Sequence, residues 1–320
     1  MRIVVVGAGA VGGVIGARLH QHGLDVTLVA RGAHLDALAS SGLRLIDGFE
    51  DVTLAVPAVA SPGEIAWAPG DVAIVATKTQ DAEVALDELR ASTLDVPITV
   101  LTATNGVEAE RMALRRFPDV VGVCVALPGT FLEPGVIIAN SSPIAGYLQI
   151  GRYPDGADPA VEALARTFDS PGLAWRAVDR IMDHKYGKLL MNLGNVLDAV
   201  ADRAARDSEL GKRARAEARQ VFEAAGIEAI DDRSDWPEGF RFRPTITGEA
   251  HRGSSTWQSL VKGGRLEVDY FNGEIVLLGR LHGVPTPVNE LLSRIAVEQP
   301  APRSLSVDDL AARLTAVDAR

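Results

Sequence analysis

Residues 1–13 read MRIVVVGAGAVGG, and the fold turns on how this stretch divides. Ile3 to Val6 is a short β-branched run, the composition of a strand buried on both faces. Gly7, Gly9 and Gly12 follow at once in GxGxxG spacing, and a helical pattern then continues to about His22, where Gly23 can end it. In such a strand–loop–helix the first glycine makes the turn and the second lets backbone approach a pyrophosphate at the helix N-terminus. The third lets helix and strand pack closely. Gly7, Ala8, Gly9, Ala10, Val11 and Gly12 are therefore the expected dinucleotide-binding loop. The plainer alternative, a glycine-rich turn without a ligand, is weakened by the second strand, DVTLVA from Asp25, which completes a βαβ unit.

Outward from this unit the alternation continues: DVAIVAT, then a helix from Asp81 to about Leu89; PITVLTA, then Val107 to Arg116. Further strands are expected around VVGVCVAL, GVIIA and YLQIG, with a helix over Pro159 to Phe168. That order is the signature of a parallel sheet covered by helices. From about Asp179 only helical patterns remain: Arg180 to Val200, Ser208 to Ala225, Ser254 to Leu260, Val268 to His282, Asn289 to Glu298, and a tail after Ser306. The expected architecture is α/β. A Rossmann-type parallel-sheet domain over residues 1–178 would bind the dinucleotide, and an all-α domain over 179–320 would carry the substrate. Ile230 to Arg252, rich in Asp, Arg, Gly and Pro, reads as an irregular connection inside the second domain.

The chain has 320 residues, 47% hydrophobic and 5% aromatic, enough for two packed domains and too apolar for disorder. A formal net charge of −10 argues against nucleic acid or an anionic membrane as partner. The single cysteine, Cys124, cannot form an internal disulfide and sits in a strand-like run, where it reads as core packing. No run approaches the roughly 18 apolar residues of a membrane span, and the N-terminus opens a strand rather than a leader, so a cytoplasmic location is expected. His20, His22, His34, His251 and His282 lack zinc-type spacing, and no metal site is expected. A homodimer is compatible with the sequence and not required by it.

Cofactor choice is read at the end of the second strand. An NAD site would carry Asp or Glu there to bind the ribose 2′-hydroxyl. Here LVARGAHL supplies Arg31 first and no carboxylate until Asp36. A guanidinium suits a 2′-phosphate, so NADP (NADPH) is expected. Lys78, in VATKTQ after the third strand, lies at the same carboxyl edge. For both residues the alternative is an ordinary surface cation.

KYGKLLMNLGN, Lys185 to Asn195, raises the question of chemistry. On a continuous helix Lys188, Asn192 and Asn195 fall within roughly 60° of one another, away from Leu189, Leu190 and Leu193. A solvated face is one reading; yet such faces usually carry Glu, Lys and Arg, and asparagine is a poor helix former. Reducing a ketone needs a hydride donor, a proton donor for the developing alkoxide and groups that orient the substrate. Lys188 with Asn192 could supply the last two, and Ser255 and Glu267 follow downstream. Lys185 and His184 compete for the acid role without an asparagine four residues on. Ser254 and Ser255 have no nucleophile elbow or paired histidine, which makes acyl transfer improbable.

The ordered set GAGAVGG, Arg31, TNG at Asn105, Lys188-x-x-x-Asn192, Ser255 and LEVDYFNG resembles the ketopantoate reductase family, the NADPH-dependent 2-dehydropantoate 2-reductases of pantothenate synthesis. The resemblance implies Lys188 as general acid and Asn105 as a contact between nicotinamide and substrate. It implies Asn192 and Ser255 as substrate ligands, Glu267 at the substrate hydroxyl or the cofactor, and Thr130 as a backbone contact to the cofactor. The family pattern usually repeats the asparagine once more, where this chain has Val196. Asn195 lies nearer the lysine direction, at about 20° against about 80° for position 196, and could take its place. The alternatives are a reductase acting on another 2-oxo or keto acid, and a non-catalytic NADP-binding regulatory protein.

Overall fold

The computed structural model describes residues 1–231, 233–248, 253–298 and 301–318. Two compact units divide the chain: Met1–Met182 with Asp232–His251, and Asp183–Asp231 with Arg252–Arg320.

The first unit opens with β1 (Ile3–Val6), α1 (Ala10–Gln21), β2 (Val26–Val29) and α2 (Gly32–Ser41), then β3 (Leu43–Ile46), β4 (Asp51–Leu54) and β5 (Ala58–Val59). It continues with β6 (Val72–Val75), α3 (Thr79–Thr93), β7 (Thr99–Thr102), α4 (Ala109–Leu114) and β8 (Val120–Ala126). β9 (Gly129–Glu133), β10 (Val136–Ala139), β11 (Gly146–Arg152), α5 (Pro159–Phe168) and β12 (Leu173–Ala177) complete it. The main sheet runs β12-β11-β8-β7-β6-β1-β2-β5. It is parallel except that β11 lies antiparallel to β8. The strand order reverses between β1 and β6, the crevice where dinucleotides bind in doubly wound sheets. β1, β2 and β6 are buried along their whole length, which is why each reads as an unbroken apolar run.

A second sheet, β4-β3-β10-β9, was not expected. GVIIA forms a strand, but in this sheet and not in the parallel one. β3, which pairs with it, and β4, which pairs with β3, are four-residue strands, and β4 has no fully buried residue, so neither announces itself by hydrophobic pattern. The second sheet packs on α1: a Cβ on Gly13 would sit 2.9 Å from Ile137 on β10. The buried Arg18 of α1 binds Asp47 and Glu50 in the β3–β4 turn.

Residues 233–248 also return to the first unit, where the sequence reading had an irregular connection within the helical half. Asp235 accepts hydrogen bonds from Tyr147 Oη (2.9 Å) and Gln149 Nε2 (3.1 Å). The Ile144 and Ser142 amides donate to Gly239 and Arg241 carbonyls at 3.2 and 3.1 Å, and the Ile246 amide donates to the Asp47 carbonyl at 2.6 Å.

The second unit begins within α6 (Ile181–Asn192) and continues with α7 (Asn195–Val200), α8 (Glu209–Ala225), α9 (Ser255–Val261), α10 (Asn272–His282), α11 (Pro287–Glu298) and α12 (Val307–Asp318). Its core is built from Val196, Leu197, Val200, Leu210, Val288, Leu292 and Ile295. The single helix expected from Arg180 to Val200 is broken at Leu193–Gly194. Carbonyls at the end of α6 lose their helical donors and take others: Arg206 Nη2 donates to Met191 O (2.7 Å) and Asn272 Nδ2 to Leu193 O (3.2 Å). Among the described residues no helix is long and apolar enough to cross a membrane, and no group of three or more His, Cys, Asp or Glu could hold a metal ion. His251 lies outside the described residues.

Candidate active site

In the first unit the glycine loop has the shape its spacing requires. Gly7 has φ +101°, a left-handed value that suits glycine, and a Cβ there would come within 3.0 Å of the Thr77 backbone nitrogen. A Cβ on Gly12 would lie 2.0 Å from the Gly7 carbonyl oxygen, so helix and strand can approach only without one. At Gly9 the nearest atom a Cβ would meet is Phe131 Cδ1, at 4.0 Å, which leaves room beside the backbone for a ligand. Ala8 is buried, and Ala10 and Val11 open α1, whose start carries no side-chain cap. The first-turn N–H groups therefore keep their capacity for an anion. These residues fit a dinucleotide's pyrophosphate.

Arg31 stands at the N-terminus of α2 with its guanidinium exposed and paired to Glu88 on α3. Lys78 holds the corresponding position before α3, half-buried. Asn105 lies in the loop after β7, and its carbonyl accepts from Thr79 Oγ1 at 2.8 Å. Arg31, Lys78 and Asn105 thus follow the carboxyl ends of β2, β6 and β7, the edge where the glycine loop follows β1. Thr130 lies on β9 of the second sheet, buried, its hydroxyl accepting from Asn140 Nδ2 at 2.9 Å.

In the second unit Lys188 and Asn192 stand one turn apart on α6, and Asn195 opens α7. The break between them removes the continuous-helix geometry from which Asn195's direction was argued. Asn195 nonetheless reaches Asn192, its Nδ2 donating to Asn192 Oδ1 at 3.4 Å, while Val196 is buried in the core. Asn192 Nδ2 is buried and has no hydrogen-bond partner. Lys185 is buried, whereas His184 and Lys188 are half-buried. Ser255 is the first residue of α9, which Ser254 caps through the Trp257 amide. Glu267 is buried and precedes a short 3-10 turn over Val268–Tyr270.

Three residues that sequence reasoning passed over fix this geometry. Asp198 Oδ2 accepts from the Ser254 amide at 2.5 Å, and Ser254 Oγ donates to the Asn195 carbonyl at 3.3 Å, which ties the start of α9 to α7. Arg206 and Asn272 hold the carbonyls at the α6 break. Burial holds the Arg206 guanidinium below its usual range, with Asp198 acting in the opposite sense. Asn272 belongs to the LEVDYFNG cluster, but its amide bonds Leu193 O and Asn289 Oδ1 inside the core. No local spacing signals any of the three.

Residues 3–155 match the family described as ketopantoate reductase PanE/ApbA, and residues 180–298 match its C-terminal counterpart. A 2-dehydropantoate 2-reductase from Mesorhizobium japonicum is 30% identical over 337 residues, covering 93% of this chain and 99% of that protein. A PanE/ApbA family ketopantoate reductase from Ralstonia eutropha JMP134 superposes with a TM-score of 0.76 at 25% identity, over 93% of this chain and 99% of the other. D-mandelate dehydrogenase in complex with NADH superposes with a TM-score of 0.73, also at 25% identity, over 93% and 98%. The glycine loop, the cation after β2 and the Lys188–Asn192 turn thus occur within a match that spans both units: the chain belongs to the ketopantoate reductase family.

Proposed function

We propose that this chain is an NADPH-dependent oxidoreductase that reduces 2-dehydropantoate to pantoate, a step of pantothenate biosynthesis. When bound, NADPH supplies the hydride. The backbone from Gly7 to Gly12 would hold the pyrophosphate, Arg31 and Lys78 the 2′-phosphate and Asn105 the nicotinamide, with Thr130 giving a backbone contact to the cofactor. Lys188 donates a hydrogen bond to the keto oxygen and gives up its proton as negative charge develops there. Asn192, Asn195 and Ser255 orient the substrate, and Glu267 accepts from its hydroxyl. The partners are this small 2-oxo acid and the cofactor, not nucleic acid, and any assembly is a homodimer. The acidic surface and a lone buried Cys124 suit the cytoplasm.

The observation that carries this reading is Asn192 Nδ2, a buried donor without a partner one helical turn from Lys188. Leaving such a donor unmade costs about 1–3 kcal/mol, a cost relieved when an acceptor such as a substrate oxygen arrives. A second reading, reduction of a less polar 2-oxo acid, is favoured by Val196, a buried apolar residue at the family's further asparagine position. NADPH consumption measured with 2-dehydropantoate, 2-oxo-3-methylbutanoate and phenylglyoxylate separates the two. Reduction of none of them, with NADPH bound, would overturn both.

A further inference from the structure

His34 is buried near the start of α2 and is bonded at both ring nitrogens to backbone far away in sequence. Nδ1 accepts the Gly135 amide at 2.9 Å, from the turn between β9 and β10. An imidazole nitrogen that accepts an N–H carries no proton, so in the neutral ring the proton is on Nε2. Nε2 therefore donates to the Ala8 carbonyl, 2.8 Å away. Ala8 lies ahead of the helical ladder of α1, so this carbonyl is not held by helix hydrogen bonds. The ring is packed against Phe131, with centroids 4.5 Å apart, and Phe131 in turn is the side chain that a Cβ on Gly9 would meet, at 4.0 Å.

We propose that His34 is a positioning residue for the cofactor's pyrophosphate. In a planar trans peptide the carbonyl oxygen and the following N–H point in opposite directions. By holding the Ala8 oxygen toward the second sheet, His34 aims the Gly9 N–H the other way, toward the open side of the glycine loop. The loop gains its orientation from β9 and β10, elements outside the βαβ unit to which it belongs. This inference rests on the reading that the first unit binds NADPH.

The test uses the full-length protein and two substitutions that separate the ring nitrogens. In His34→Gln the side-chain amide reaches as far as Nε2 and keeps the donor to Ala8; in His34→Asn it reaches only as far as Nδ1 and loses it. His34→Asn should raise Kd and KM for NADPH about five- to tenfold, the weight of one hydrogen bond, and leave kcat within about twofold. 2′-AMP carries the 2′-phosphate but no 5′-phosphate, and its Kd should not move. His34→Gln should recover most of the NADPH affinity. Equal loss of 2′-AMP and NADPH, wild-type affinity in His34→Asn, no recovery in His34→Gln, or failure of both variants to melt cooperatively would each overturn the proposal. Wild-type protein that does not bind NADPH would remove the functional reading beneath it; intact wild-type binding with an unaffected His34→Asn removes only the role of His34.

Discussion

Removing the Arg31 guanidinium should separate the two nicotinamide cofactors. A charge-assisted contact to the 2′-phosphate is worth about 1.5–3 kcal/mol. The guanidinium is not idle beforehand, because it is paired with Glu88, and making the new contact means sharing or leaving that partner. Their side chains are 64% and 37% exposed, so the pair itself is worth about 0–1 kcal/mol. The difference, roughly 0.5–3 kcal/mol, corresponds to about two- to hundredfold in affinity. Arg31→Ala should weaken NADPH by that factor and leave NADH nearly unchanged. Glu88→Gln is the converse perturbation: without the competing carboxylate NADPH should bind up to about fivefold tighter. Both effects should shrink at high salt, because exposed charges are screened over about 8 Å at physiological ionic strength. Titration calorimetry with each cofactor at two salt concentrations measures all of this. Equal losses of NADH and NADPH in Arg31→Ala would mean that Arg31 acts through the loop's structure, and the 2′-phosphate assignment would fall.

Lys188→Ala should lower turnover by about 10² to 10⁴ while NADPH still binds, because an ammonium stabilises the alkoxide only as it forms; normal turnover would promote Lys185 or His184. Asn195→Ala should raise KM for the 2-oxo acid, whereas Val196→Asn should destabilise the fold by about 1–3 kcal/mol by burying an amide in an apolar core, as read by chemical denaturation. Improved kcat/KM on 2-dehydropantoate in Val196→Asn would instead favour the less polar substrate. The Tyr147 phenol is pushed up to about 12, first by burial and then by its bond to Asp235. A raised folded value means that its contribution is full below pH 10, the ordinary value, and is lost as pH rises through 12. Phenolate absorbance should therefore show a late titration step that Tyr147→Phe removes.

What could be read in advance follows from where the information lies. β1, β2 and β6 are covered on both faces, and their β-branched runs show in the sequence without knowledge of the neighbours. The glycine loop is nearly as local, since Gly7 and Gly12 answer to atoms of their own βαβ unit and of the adjoining β6 end. β3 and β4 are short, and the sheet that β3 joins is completed by β10, about 90 residues further along. Residues 233–248 look like a loop because their partners are backbone groups and side chains of the first unit, which no pattern within the segment reveals. The α6–α7 break was legible only in part: Gly194 offers a place for the helix to bend, but Arg206 and Asn272, which complete the carbonyls that a continuous helix would have used, lie outside the segment. The asparagines themselves were legible as an anomaly, being polar and poor helix formers in an apolar setting. Their angular relation was not, because it presumed an unbroken helix.

Residues 233–248 have a consequence for how this protein can be taken apart. The chain crosses between its units three times, after Met182, Asp231 and His251. The nucleotide-binding half is therefore not a contiguous cassette. A chain stopped at Met182 would strip the Ser142 and Ile144 amides of their acceptors, and Tyr147 and Gln149 of the Asp235 carboxylate. Exchanging this half with that of a relative would require carrying two separate pieces of sequence together, and a single crossover near residue 180 would join a sheet to a strap that evolved on another surface.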